Sequence, residues 1–175
     1  LGDVYKRQIL KDTNSLRSRM INNLDIKGND YFTKSGIKNN FNYYLKNTIT
    51  AGKNNVEYDS KSHTKLMNIF EIVSSYPLIE KSENFINYLN PKLSFRVNPS
   101  DMKSYKDANR QINTENIFNL NRLGLIDTLE SGQNLTLGLN YKKEKINEIN
   151  KYFELSLAKV IRTKTNNNIP SNSSL

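Results

Sequence analysis

The sequence predicts an all-β fold of antiparallel up-and-down strands that form part of a large transmembrane β-barrel of the outer-membrane type. About six long strands are expected, as an open fragment of the barrel. Three observations predict this class: apolar and polar residues alternate along several segments, the segments are longer than strands of soluble sheets, and short and long connections alternate. The mean hydropathy of −0.70 fits, because only alternate residues of a barrel strand face lipid.

The clearest alternation lies in residues 37–49, 89–98 and 134–142. In each segment one phase is mostly apolar and the other is almost wholly polar, which predicts strands with one apolar and one wet face. The apolar phases contain Ile37, Phe41, Tyr43, Leu45 and Ile49, then Leu89, Pro91, Leu93, Phe95 and Val97, and then Leu135, Leu137, Leu139 and Tyr141.

Three further segments alternate less cleanly: residues 16–26, 64–78 and 152–162. Lys159 interrupts the apolar phase of the last one. Within the second segment, Leu66, Ile69, Phe70 and Val73 also fit helical spacing, so a short helix is the alternative to a strand there. Strands in all three segments complete the predicted set.

The connections between these strands alternate in length. They cover residues 27–35, 50–63, 79–84, 99–133 and 143–151, of which the second is longer than its neighbours and the fourth is very long. Outer-membrane barrels have short periplasmic turns and long external loops, so the longer connections are expected to face outside. A loop of this length would be unusual in a compact soluble domain.

The domain prediction follows from these boundaries. Residues 1–8, LGDVYKRQ, resemble a translated sequencing adaptor, and the chain does not begin with Met. Residues 9–163 are predicted to be a partial barrel domain that contains the long loop 99–133. Residues 164–175 are polar and are expected to be another loop, cut short.

The formal charge of +9 and pI near 9.6 raise the possibility of nucleic-acid binding. Lys and Arg are scattered through every segment, however, and Asn and Ile are also plentiful, which indicates compositional drift. No nucleic-acid partner is therefore expected, although a soluble basic β protein that binds nucleic acid is an alternative from a different class. The chain has no Cys, which excludes disulfides and thiolate metal sites within it, and no apolar run long enough for a membrane helix.

No catalytic constellation stands out, so no enzymatic activity, cofactor or metal is predicted. His63, the only histidine, lies in a polar stretch and is expected to be solvated. Asp127 and Glu130 could form an acid/base pair or a calcium site. The favoured interpretation is that they pair with Arg122 or cap turns inside a packed outer loop.

The glycines and aromatic residues have structural interpretations. Gly124, Gly132 and Gly138 are too widely spaced to cradle a phosphate and are expected to permit turns or close strand approach. Tyr and Phe supply all aromatic rings, since Trp is absent. Rings near strand ends could form interfacial girdles or simply pack in a core. The scattered basic residues could line the lumen and meet phosphates.

Residues 76–142 resemble the barrel of the lipopolysaccharide (LPS)-assembly LptD family, also called the organic solvent tolerance protein family. The run Tyr88-Leu89-Asn90-Pro91-Lys92 is similar to the family's "LEPR" strand start, and residues 116–130 are similar to its "NLF..NRFSG.DR.E" pattern. Leu123 replaces the usual aromatic residue, and Thr128 stands where an Arg is common. The matching positions are Pro91, Asn116, Phe118, Asn121, Arg122, Gly124, Asp127, Glu130, Gly132 and Gly138.

This resemblance implies an outer-membrane barrel around an LptE-type lipoprotein plug. Such a barrel accepts LPS from an LptA-type periplasmic bridge, through an upstream domain missing from this piece, and inserts LPS into the outer leaflet through a lateral opening without covalent chemistry. The piece is expected to supply middle strands, and hence wall and not gate. Another outer-membrane barrel, such as a porin or an uptake receptor, is the alternative, and the pattern at residues 116–130 discriminates against it.

Overall fold

The chain forms one antiparallel sheet. The computed structural model describes residues 8–10 and 15–173, so the adaptor expectation for residues 1–8 lies outside the described residues except at Gln8. Within the described residues there is no α-helix, and one 3-10 turn covers Ser171–Ser173. Among the described residues, no helix has the length and apolar character that are needed to span a membrane.

All six predicted long strands are confirmed, at 13 to 16 residues each. Residues 66–73, for which a helix was the alternative, lie within a strand. In chain order the elements are β1 Gln8–Leu10, β2 Ser15–Lys27, β3 Tyr31–Phe32, β4 Lys38–Lys53, β5 His63–Ser75, β6 Leu78–Lys81, β7 Phe85–Asn98, β8 Gly132–Lys145 and β9 Glu148–Arg162.

The strands follow one another in the up-and-down order β1-β2-β4-β5-β7-β8-β9, and β3 and β6 add short pairings to β4 and β7. The six long strands curl into a half-barrel, which confirms the predicted fold class. At one end, hereafter the short-turn end, residues 28–37, 76–84 and 146–147 connect the strands. At the other, the long-loop end, residues 54–62 and 99–131 connect them.

The strand register gives the sheet two faces of opposite chemistry. Phe41 pairs with Ile72, Ile72 with Phe95, Phe95 with Leu135, and Leu135 with Ile161. One residue further along, the row across the same five strands reads Asn42, Glu71, Arg96, Asn134 and Arg162. We call the face of the first row the bare face and the face of the second row the covered face. The alternation read in the sequence is thus the alternation between these faces.

In this sheet the apolar face is exposed and the polar face is buried, which is the reverse of the burial in a soluble sheet. Large apolar side chains of the bare face stay exposed, for example Met20, Phe41, Leu93, Leu137 and Leu155 at 38–48%. Polar side chains of the covered face are buried instead. Lys46, Thr48, Ser94, Asn98 and Thr136 are each at most 4% exposed. An apolar face without a covering layer of protein is what a lipid-facing surface requires.

The loop between β7 and β8, residues 99–131, covers the polar face. It packs through two apolar clusters. The larger contains Met102, Ile112, Ile117, Leu123, Leu125, Val160 and Ile169, and the smaller contains Met67, Ile69 and Leu129. Because Val160 belongs to β9 and Met67 and Ile69 to β5, both clusters join the loop to the strands. Residues 163–173 lie against the same loop, and the backbone N–H of Ile112 donates to the Ser173 hydroxyl at 3.0 Å.

Candidate functional site: the plugged face of the sheet

Five charged side chains hold the long loop against the covered face. We call them the charged clamp: Glu71 on β5, Arg96 on β7, Arg122 and Glu130 on the loop, and Arg162 on β9. Glu71, Arg96, Arg122 and Glu130 are 1–4% exposed, and the side chain of Arg162 is 12% exposed. Charges this deeply buried are retained only where they are paired, so the clamp explains why they can lie here.

Glu130 is the centre of one half of the clamp. Its two carboxylate oxygens accept from Nε and Nη2 of Arg122 at 2.5 and 2.6 Å, a bidentate pair, and Nε of Arg162 donates to Oε1 at 3.3 Å. The Glu130 backbone carbonyl accepts from the Asn98 amide at 2.8 Å. Arg122 also donates to the hydroxyl of Thr136 at 3.3 Å. One loop carboxylate and its arginine are therefore tied to β7, β8 and β9 together.

Glu71 is the centre of the other half. It accepts from Arg96 Nη2 at 2.9 Å, from the Ser94 hydroxyl at 2.7 Å and from the Asn42 amide at 3.2 Å. Arg96 Nη2 also donates to the backbone carbonyl of Asn119 in the loop at 2.7 Å. This half ties the loop to β4, β5 and β7, so the two halves together reach five of the six long strands.

The environment of Glu130 fixes its charge. Burial by itself would raise the pKa of the Glu130 carboxyl, because it disfavours the ionised form. The hydrogen bond and charge of Arg122, with the charges of Arg162 and Arg96, outweigh burial and hold that pKa below its ordinary value. Glu130 is consequently ionised at neutral pH, and removing it would leave buried cations without a partner.

Phe118 fixes a second contact between loop and wall. A Cβ at position 138 would lie 2.6 Å from two ring atoms of Phe118, closer than any real contact allows. Gly138 therefore allows the loop ring to lie directly on the backbone of β8. Lys92, the residue paired with Gly138 on β7, also contacts the ring: its Nζ lies 4.3 Å from the ring centroid, a cation–π contact.

Other motif residues shape the loop itself. The Asn121 side chain accepts from the backbone N–H of Leu125 at 3.2 Å and donates to the Leu125 carbonyl at 2.9 Å. Between them, Gly124 has φ +59°, a conformation that side chains with a Cβ disfavour. Asn116 accepts from the backbone N–H of Asn113 at 3.0 Å. These bonds close the turns that bring Arg122 and Leu123 to the covered face.

Asp127 and Glu130 do not face the same point. Asp127 accepts a hydrogen bond from the Tyr105 hydroxyl, and Lys103 lies 3.7 Å from its carboxylate. Burial and the bond to Asp127 raise the pKa of the Tyr105 hydroxyl well above its usual range. Each carboxylate thus serves a different partner. Within the described part of the chain, no group of three or more His, Cys, Asp or Glu side chains is placed to hold a metal ion.

The remaining predicted positions lie elsewhere. Pro91 is in β7 on the bare face, opposite Leu139. Gly132 begins β8 with φ +93°. His63 begins β5, exposed, with Nε2 3.0 Å from Asp59. Of the ten motif residues, four meet at the contact between loop and wall, and these are Phe118, Arg122, Glu130 and Gly138.

Reasoning from the sequence missed the strand residues of the site. Glu71, Arg96 and Arg162 supply its wall side, and Thr136 adds a hydroxyl. A usable signal was present at Glu71: it is a charged residue between the apolar Ile69 and Val73 of the same strand phase. A charge at such a position requires a partner across the sheet or from a loop.

Comparison with protein families adds a separate finding. A family model described as LptD: LPS transport system D matches residues 8–175. The match includes every described strand, the long loop and the residues of the clamp, and so extends well beyond residues 76–142, where the family motifs lie. No curated protein matches the chain significantly.

Proposed function

The chain belongs to the LptD family of the LPS transport system, and on this basis we propose that it supplies wall strands of a barrel that inserts LPS into the outer leaflet. LptD is a transport and assembly family of the outer membrane, and not a family of enzymes. In this role the sheet separates hydrocarbon on one side from a polar passage on the other.

The observation that carries the proposal is the reversed burial of the sheet. The bare face presents apolar side chains to its surroundings, as a surface in contact with lipid does. Where the long loop does not bury it, the covered face presents polar side chains such as Asn40, Asn90 and Asn140, which suit the sugars and phosphates of LPS. A single sheet with these two faces supports a role in moving an amphipathic molecule past a barrel wall.

The finer assignments are part of the same proposal. The partners are an LptE-type lipoprotein plug inside the barrel and an LptA-type periplasmic bridge, reached through an upstream domain. Residues 9–163 belong to the barrel, with residues 164–175 as a further loop, and the strands serve as wall and not as lateral gate. Support comes from the regular pairing of β2 through β9, where the one register shift among the described strand pairs lies at Glu144/Lys145, beside the short-turn end.

A different outer-membrane barrel, such as a porin or an uptake receptor, is the alternative function. The plugged covered face alone is compatible with it, because receptors also fill their barrels. Family membership favours LPS transport.

Site-specific photo-crosslinking in cells tests the proposal. A crosslinking residue at Asn140, on the covered face, should capture LPS while it is being transported. The adjacent Leu139, on the bare face, serves as a control, because it should capture membrane lipid whether or not transport proceeds. If Asn140 captures no LPS in cells that are assembling new outer membrane, the proposed passage is wrong.

A further inference from the structure

A cationic cleft lies at the long-loop end of the covered face, away from the charged clamp. It has a volume of about 360 Å³, and it lies between strand β2 and the long loop. Two of its cations, Arg17 and Arg19, belong to the wall, and two, Lys103 and Arg110, belong to the loop. Its size falls within the range of about 300–1,000 Å³ that is usual for pockets that bind small ligands.

The charges of this cleft are not balanced. The carboxylates that line it are Glu57, which pairs with Arg17 at 2.9 Å, and Asp127, which is shared between Tyr105 and Lys103. Four cations thus face two carboxylates. Within the described residues, Arg19 makes no ion pair or side-chain hydrogen bond.

The neighbouring Lys46 increases this excess. Its ammonium donates to the backbone carbonyls of Leu125 and Ile126, at 3.3 and 2.7 Å, and both of those residues line the cleft. No carboxylate within the described residues pairs with Lys46. The cleft therefore presents a local surplus of positive charge, with free guanidinium donors, in a partly enclosed space. Guanidinium groups are well suited to bind phosphate oxygens, often through two parallel hydrogen bonds.

We propose that this cleft binds a phosphate group of the glycolipid headgroup, with Arg19 on the wall and Lys103 on the loop as the binding cations. The inference rests on the proposed function, since it names the part of LPS that this end of the barrel recognises. A phosphate held between these two residues joins β2 to the loop. Occupancy of the cleft and the position of the loop are thereby coupled.

Equilibrium binding tests the assignment, with the complete protein in detergent and two probes, bisphosphorylated lipid A and its fully dephosphorylated counterpart. The test variant is Arg19→Gln/Lys103→Gln. The matched control is Lys34→Gln/Lys81→Gln, which removes the same charge from two exposed residues at the short-turn end. A further variant, Arg19→Lys with Lys103 unchanged, keeps the charge. It checks that the loss of binding in the test variant is not caused by misfolding.

The expected result is that the parent and the control bind the phosphorylated probe about tenfold more tightly than the dephosphorylated one, a difference that two charge-assisted contacts can supply. The test variant should lose this preference, and Arg19→Lys should keep most of it. Inorganic phosphate, titrated alone, distinguishes a headgroup site from a free phosphate site, because the latter would show the same difference between variants without any lipid.

Two results would overturn the inference, and they differ in what they say about transport. If the parent binds both lipids equally, or if the test variant behaves as the control does, the cleft does not recognise phosphate, while glycolipid binding still supports the proposed function. If the parent binds neither lipid, the proposed function fails together with the inference.

Discussion

The two faces of the sheet are made by the same six strands, yet they are stabilised in opposite ways. The bare face has no covering layer of protein within the described residues, and its large apolar side chains stay exposed. The covered face has polar and charged side chains, and its partner is the chain's own long loop. Burial in this protein therefore follows the location of the loop and not the hydrophobicity of the side chain, so each face should respond to a different kind of substitution.

The largest effect is expected from Glu130→Ala, which removes the carboxylate that Arg122 and Arg162 share on the covered face. Breaking a buried ion pair by deleting one partner costs about 3–5 kcal/mol, since a buried charge is left unpaired. The loop should then leave the sheet, and limited proteolysis of the folded protein in detergent should cut within residues 99–131. Glu115→Ala, an exposed carboxylate of the same loop, is the matched control. Equal protection in both variants would contradict the role of the clamp.

The next largest effect is expected from a charge introduced on the bare face. Two adjacent residues of β8, which point to opposite faces, allow the comparison. Leu139→Lys places a charge on the bare face, where it should cost about 2–4 kcal/mol near the middle of a bilayer. Asn140→Lys places the same charge on the covered face, at a position that is solvent-exposed, and should change stability little. Folding into lipid vesicles at increasing urea, followed by the heat-modifiable shift on gels, measures both. Equal costs would mean that the bare face does not contact lipid.

A smaller effect is expected at the preceding residue, Gly138. The alanine Cβ would collide with the ring of Phe118, and overpacking of this kind costs about 1–3 kcal/mol. Gly138→Ala should therefore weaken protection of the long loop against protease. In a Phe118→Ala background the same change should cost much less, because the colliding ring is gone. If the penalty persists there, it comes from the backbone of β8 and not from the loop contact.

The smallest effect concerns pH. Because the pKa of Glu130 is lowered in the folded protein, its contribution to stability is complete above its ordinary value of 4.5 and is lost as pH falls through the lower, folded value. Loop protection should therefore decline only in that acidic window. Pepsin digestion of the detergent-solubilised protein measures this decline, and Glu130→Gln should show a flatter profile than the parent. A parallel profile would assign the acid sensitivity to other carboxylates.

The strands could be predicted because alternation is a local property. Positions 41 and 42, or 95 and 96, show their faces by phase alone, and the six strands followed from it. The ends of the strands were predicted less accurately than their faces. β5 stops at Ser75 and not at residue 78, since Pro77 cannot donate a ladder hydrogen bond, and β7 begins at Phe85, before its alternation becomes clean.

The docking of the long loop could not be predicted in the same way. Its contacts join residues far apart in the chain, such as Lys46 with Ile126 and Asn119 with Arg96, and no period in the sequence encodes them. The residues 116–130 that resemble the family pattern did mark Arg122 and Glu130. They did not reveal Glu71, Arg96 or Arg162, because one half of an ion pair does not identify the other.

The larger apolar cluster of the loop makes one part of the chain depend on another. It contains Val160 of β9 and Ile169 beyond that strand, although the loop itself joins β7 to β8. The β7–β8 hairpin by itself therefore holds only part of this small core. A packed loop requires residues that lie well C-terminal to the hairpin it connects.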